Sequence, residues 1–113
     1  MKKFFTKFDE ISKNHPDKIA IETPDYSLTY LQLAKDINLI ATGMRNEGVV
    51  CGDTIGFYGD RDTSIVKSFL AVLKIGGIFL HLSKDHPDEV INNLIEKSQL
   101  KWLIHSSHLG TIK

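Results

Sequence analysis

A single cysteine, Cys51, in 113 residues rules out an internal disulfide framework and a thiolate metal cage. Such sparing use fits a reducing, cytoplasmic setting. An excess of charge of one sign is also missing: Lys plus Arg and Asp plus Glu number 14 each. Without a basic surplus to neutralise a phosphate backbone, nucleic acid is not an expected partner. Zero net charge also removes self-repulsion, which favours a protein partner or a homo-oligomer. Long apolar runs are absent. The most apolar span, Phe69 to Leu82, is interrupted by Lys74 and is too short to cross a bilayer, so no membrane partner is expected. The opening Met1-Lys2-Lys3-Phe4-Phe5-Thr6-Lys7-Phe8 has a basic lead without a sustained apolar region, unlike a secretory signal. There are no repeats, low-complexity tracts or linkers, and the length suits one small domain over residues 1–113.

What is present centres on Ser64 to Asp85. Ile65, Val66, Phe69, Leu70, Val72 and Leu73 cover most of a helix circumference, which predicts packing on more than one neighbour. Gly76 and Gly77 suit a helix stop, since glycine enters the left-handed region without a Cβ clash. Ile78 to Leu82 is then almost continuously apolar, the pattern of a strand covered on both faces in a parallel sheet.

The remaining segments supply neighbours for that core. Phe4, Phe8 and Ile11 recur at helical spacing up to Asn14-His15-Pro16, where the residue before proline leaves the helical region. Residues 18–29 read as an antiparallel hairpin turning at Pro24-Asp25. Thr29 followed by Gln32 forms a capping box for a helix with Leu33, Ile37, Ile40, Ala41 and Met44 inward and Gly48 as its stop. Thr54 to Tyr58 is a second apolar strand after a Gly52-Asp53 turn, and Asp62 is placed to cap the next helix. Pro87, Asp88 and Glu89 fit a helical first turn, with Val90, Ile91, Leu94 and Ile95 inward. Lys101 to His105 is a third buried strand, and His108 to Lys113 is too short to classify. The expected fold is therefore α/β: a small three-layer domain with a three-stranded parallel sheet (54–58, 78–82, 101–105), flanking helices and right-handed crossovers.

Several of these strings, in this order, resemble one family. Ser27-Leu28-Thr29-Tyr30-Leu31-Gln32-Leu33 resembles the first core motif of AMP-forming adenylating enzymes, the acyl-CoA synthetases and adenylation domains of nonribosomal peptide synthetases. Leu73-Lys74-Ile75-Gly76-Gly77-Ile78-Phe79-Leu80 resembles their second. Gly48-Val49-Val50-Cys51-Gly52-Asp53-Thr54-Ile55, Asp85-His86-Pro87 and Asn14-His15-Pro16-Asp17-Lys18-Ile19-Ala20 fit the turn between the motifs, the segment after the second, and the usual opening. The chain departs from the family pattern at Gln32, where glutamate is usual. It departs again at His81-Leu82-Ser83-Lys84, where proline, a hydrophobe and aspartate usually follow.

The resemblance implies an enzyme family that makes an acyl-adenylate from a carboxylic acid with ATP and Mg, then passes the acyl group to a thiol. It also implies that the Ser/Thr/Gly-rich phosphate loop, the acidic residues for metal and ribose, and the late lysine lie beyond the last residue. Ser106-Ser107 is the one late hydroxyl pair, with no glycine-rich cradle after it. No catalytic, cofactor-binding or metal-binding residue is carried over. The chain is expected to be an N-terminal segment, inactive alone and partnered by the rest of the enzyme. The alternative is a stand-alone remnant that works as an oligomerisation or partner-binding module.

Other features carry two readings each. His81 and His105 near strand ends, with His86 and His108 in adjoining loops, either converge as a zinc edge or are ordinary loop and strand-end histidines. Gly59-Asp60-Arg61-Asp62-Thr63-Ser64 either holds an anion in a flavodoxin-like or receiver-like manner, or only caps the helix. Its single glycine and two aspartates argue against an anion. Trp102 reads as an anchor over the sheet edge rather than a stacking platform. Phe4, Phe5 and Phe8 form a face for the sheet or for a partner, and Cys51, with no activating neighbour in the sequence, reads as an inert thiol.

Overall fold

The structure is a computed structural model describing residues 2–59, 63–105 and 108–111. Its elements alternate as the hydrophobic periodicity requires. Helix α1 (Lys2–Asn14) precedes β1 (Ile19–Glu22) and β2 (Ser27–Thr29), then come α2 (Tyr30–Glu47), β3 (Thr54–Gly59) and α3 (Thr63–Lys74). Strand β4 (Ile78–Ser83), α4 (Asp88–Ser98), β5 (Trp102–His105) and β6 (His108–Thr111) complete the order.

Local chemistry accounts for the boundaries. β1 and β2 pair antiparallel, and the Thr23 N–H donates to the Tyr26 carbonyl at 2.8 Å across the Pro24-Asp25 turn. At the start of α2 the Thr29 hydroxyl accepts the Gln32 N–H at 3.2 Å, while Gln32 Oε1 accepts the Thr29 N–H at 3.0 Å. Two backbone donors that the helix leaves free are thereby satisfied. Gly48 closes α2 at φ 105°, and its N–H reaches the Arg45 and Met44 carbonyls. The expected Asp62 cap, with residues 60–62 of its loop, lies outside the described residues.

β3, β4 and β5 form the expected parallel sheet, in the order β4-β3-β5-β6. The fourth strand, β6, lies antiparallel on β5, in the stretch too short to classify from its sequence. Paired positions on neighbouring strands share a face. Ile55, Phe57, Phe79, Trp102 and Ile104 therefore line one face, where they join the core with Leu33, Ile37, Ala41 and Met44 of α2 and Ala71 and Val72 of α3. Gly56, Tyr58, Leu80, Leu82 and Leu103 line the other, towards α4.

β4 has α3 and α4 over its two faces, as its apolar run predicts, although it is an edge strand with Ile78 57% exposed. Three expectations need correction. α3 buries Ser68, Ala71 and Val72 but leaves Val66 and Phe69 exposed, so its apolar belt is only partly covered. α4 has no buried residue: Val90 is exposed, while Ile91, Leu94 and Ile95 are half-buried because a single layer lies beneath them. α1 docks on α2 rather than on the sheet, with the Phe8 and Tyr30 rings 5.9 Å apart. Among the described residues no helix is long and apolar enough to cross a membrane.

The turn from α3 to β4 is the tightest point. Gly76 adopts φ 77°, in the left-handed region. A Cβ on Gly77 would lie 2.8 Å from Ile55 Cδ1, 3.1 Å from Val72 Cγ1 and 3.2 Å from the Asp53 carbonyl oxygen. Gly77→Ala is therefore an overpacking change expected to destabilise by about 1–3 kcal/mol. Thr29→Ala, which loses an exposed cap, should cost about 1 kcal/mol. Urea unfolding of both variants checks the pair, and a Gly77→Ala midpoint equal to wild type would contradict the packing described at this turn.

Candidate functional site

In parallel α/β sheets ligands approach the carboxyl ends of the strands. Here that rim is formed by Tyr58 and Gly59 of β3, His81 and Ser83 of β4 and His105 of β5. The strand register decides what can meet there. His81 pairs with Phe57 and shares its face, with ring centroids 6.2 Å apart. His105 pairs with Tyr58 on the opposite face, 5.4 Å away ring to ring. The sheet thus stands between the two imidazoles. His86 lies in the exposed turn after β4, and His108 faces His105 in the β5–β6 register, its side chain outside the described residues. Of these histidines, His81 and His105 do not converge. Among the described residues, no group of three or more His, Cys, Asp or Glu side chains could hold a metal ion.

Two polar groups of the rim, His81 and Ser83, are engaged within the fold. His81 Nε2 lies 3.4 Å from the Gly59 carbonyl oxygen, a long hydrogen bond that needs the ring to donate. The Ser83 hydroxyl accepts the Asp85 N–H at 3.1 Å, and the Ser83 carbonyl accepts the His86 N–H at 3.2 Å. Serine used in this way shapes a turn rather than a nucleophile. Ser106 and Ser107 lie outside the described residues.

Open clefts lined by described residues lie along α1 and near the starts of the parallel strands. One of about 570 Å³ separates α1 from the turn before β4 and is lined by Phe5, Asp9, Cys51, Leu73 and Ile75 among others. Cys51 is exposed there, its Sγ 3.5 Å from the Gly76 carbonyl oxygen. Smaller clefts of about 430 and 190 Å³ lie along α1 and beside Trp102. Trp102 is half-buried, and its indole N–H donates to Asp53 Oδ2 at 3.3 Å. The same carboxylate oxygen accepts the Val50 N–H at 2.9 Å. The indole is therefore an anchor, although on an interior strand and not over the sheet edge as expected. Its partner Asp53, 49 positions away, could not be read from local spacing.

The two motif strings fall on architecture. Ser27 to Leu33 spans β2, the Thr29 cap and the first turn of α2. Leu73 to Leu80 spans the end of α3, the glycine turn and half of β4. Residues 8–112 match the family model described as AMP-binding enzyme. Bacitracin synthase 3 from Bacillus licheniformis is 33% identical over 90% of this chain, and tyrocidine synthase 2 from Brevibacillus parabrevis 29% over 90%. The chain spans only 2% and 3% of those two proteins. Among solved structures, the Klebsiella oxytoca NpsA N-terminal subdomain in complex with 3-hydroxyanthranilyl-AMSN superposes with a TM-score of 0.78 at 26% identity. That match covers 87% of this chain and 25% of the subdomain. A mutant form of coronafacic acid ligase from Pectobacterium brasiliense gives 0.82 at 26%, covering 89% of this chain and 20% of the ligase. With strings, order and backbone agreeing over nearly its whole length, the chain belongs to the AMP-binding enzyme family, as an N-terminal portion of an adenylation domain like those of the nonribosomal peptide synthetases.

Proposed function

We propose that residues 1–113 act as one unit, the N-terminal scaffold of an AMP-forming ligase, and do not catalyse adenylation alone. The completed enzyme would join a carboxylic acid to AMP from ATP with Mg, in the cytoplasm. The observation that carries this reading is the family match over residues 8–112, set beside a rim in which His81 and Ser83 bond to their own neighbours. Phosphoryl and adenylyl chemistry needs several donors aimed at developing charge. Ser83 instead accepts a bond from Asp85, and the His81 ring points at a carbonyl. These described groups do not fit a phosphate cradle, and no catalytic step is routed through them. Scaffold residues would hold the parallel strands at fixed spacing while the remainder of the enzyme supplies the reacting groups.

A second reading, a stand-alone oligomerisation module, is favoured by the exposed apolar side chains of α3 and β4. Light scattering separates the two readings, because the module would be an oligomer by itself. The decisive measurement is ATP–pyrophosphate exchange with the purified chain across amino acids and fatty acids. Background exchange is expected with every acid, and clear exchange above it would overturn the proposed inactivity.

A further inference from the structure

We propose that the outward face of α2 is a two-fold contact between two copies of this chain, packed antiparallel with Leu39 of one copy over Gly43 of the other. Lys35, Leu39, Gly43 and Glu47 are spaced by four residues and all exposed, so they form one ridge along the helix. The core-facing Leu33, Ile37, Ala41 and Met44 are buried on the other side. Leu39 is 72% exposed, more than any other large apolar side chain among the described residues.

Gly43 is unusual in a different way. Its φ is not positive, and a Cβ there would meet nothing within 4 Å. Glycine weakens a helix interior, and no described neighbour calls for it at this place. A bare stretch of backbone beside a projecting leucine suits the close approach of a second helix, whose distance is set by the side chains at the contact.

Charge selects the occupant. Asp36 pairs with Lys67 at 2.8 Å, whereas Lys35 and Glu47 hold no ion pair among the described residues. A ridge with a cation at one end and an anion at the other complements its own reverse. Lys35 and Glu47 each lie six residues from Ala41, about 9 Å along the axis, and Leu39 and Gly43 each lie two residues from it. A two-fold axis at the level of Ala41 therefore sets Lys35 opposite the second copy's Glu47 at both ends, and each Leu39 over a Gly43. Parallel packing would set lysine against lysine and glutamate against glutamate. An antiparallel register centred on Leu39 would set Gly43 against Lys35 and Glu47 against Leu31. With no net charge on the chain, two copies do not repel each other.

Sedimentation equilibrium of the purified chain, from micromolar to millimolar concentration, tests the contact. A weak, reversible dimer is expected, because one helix ridge makes a small interface. Leu39→Lys should weaken association by about tenfold or more. Gly43→Ala should weaken it by about tenfold while the monomer melts no lower, since the added Cβ crowds only the second copy. Lys35→Glu and Glu47→Lys should each weaken it, and mixing the two variants in equal amounts should restore it, because both charge pairs then join opposite signs. Val66→Lys, at a 38% exposed site on α3, should leave it unchanged.

A monomer throughout that range overturns the proposal. So does a dimer insensitive to Leu39→Lys and Gly43→Ala, for then another surface holds it. Association lost in Lys35→Glu and Glu47→Lys but not regained on mixing overturns the antiparallel register. The contact is independent of the ligase reading, which ATP–pyrophosphate exchange tests. Because Leu39→Lys removes the α2 contact, light scattering of that variant reads any association through α3 and β4 by itself.

Discussion

The loops that begin β3 and β4 are hydrogen-bonded to each other, and the rest of the sheet depends on that lock. The Gly52 N–H donates to the Gly76 carbonyl at 2.9 Å, and the Ile78 N–H donates to the Asp53 carbonyl at 2.8 Å. Both bonds form at or before the first paired residues, Thr54 and Ile78, and so set the register of the whole ladder. A one-residue slip would turn every β4 side chain to the opposite face. Phe79 would leave the core beneath α3, and Leu82, now 1% exposed, would leave the α4 side. The bonds need two backbones in close approach, which explains a Gly77 with no room for a Cβ and a Gly76 at positive φ. Asp53 strengthens the lock from the other end, because its carboxylate also holds the Val50 N–H and the Trp102 indole. One short loop thus ties together the starts of three parallel strands.

Features encoded by neighbours in sequence are legible in the sequence alone. The Thr29–Gln32 box, the Gly48 stop, the Pro24-Asp25 turn and the three parallel strands each depend on a few consecutive residues. Features set by which elements become neighbours are not. The apolar run of β4 reports that its two faces are covered in part, but carries nothing about a lateral partner, so an edge strand reads as an interior one. β6 owes its strand to β5, which it pairs from Trp102–Thr111 to His105–His108, rather than to any alternation of its own. The histidines illustrate the same limit at the candidate site. Their proximity to strand ends is local information, whereas the face each one occupies follows from register.

The unequal treatment of the two sheet faces bears on function. One face is covered by α2 and α3, with α1 behind α2, and contains Ile37, Ile55, Phe57, Val72 and Ile104 at 2% exposure or less. The other is covered by α4 alone, and no residue of that helix is buried. Hydrophobic stabilisation scales with the apolar area removed from water. The α2–α3 side therefore supplies most of the burial that holds the strands, and α4 rests on the sheet without a buried residue. An asymmetry of this kind is expected of a scaffold that borders further protein.

The departures from the family pattern after Leu80 follow the same logic. β4 runs on as far as Ser83, paired with Gly59. The His81 ring turns back to the Gly59 carbonyl, and the Ser83 hydroxyl accepts the Asp85 N–H where an aspartate carboxylate could do the same. Each replacement is thus absorbed by a bond inside the rim. The strand ends accommodate His81 and Ser83 without a break in the β3–β4 ladder.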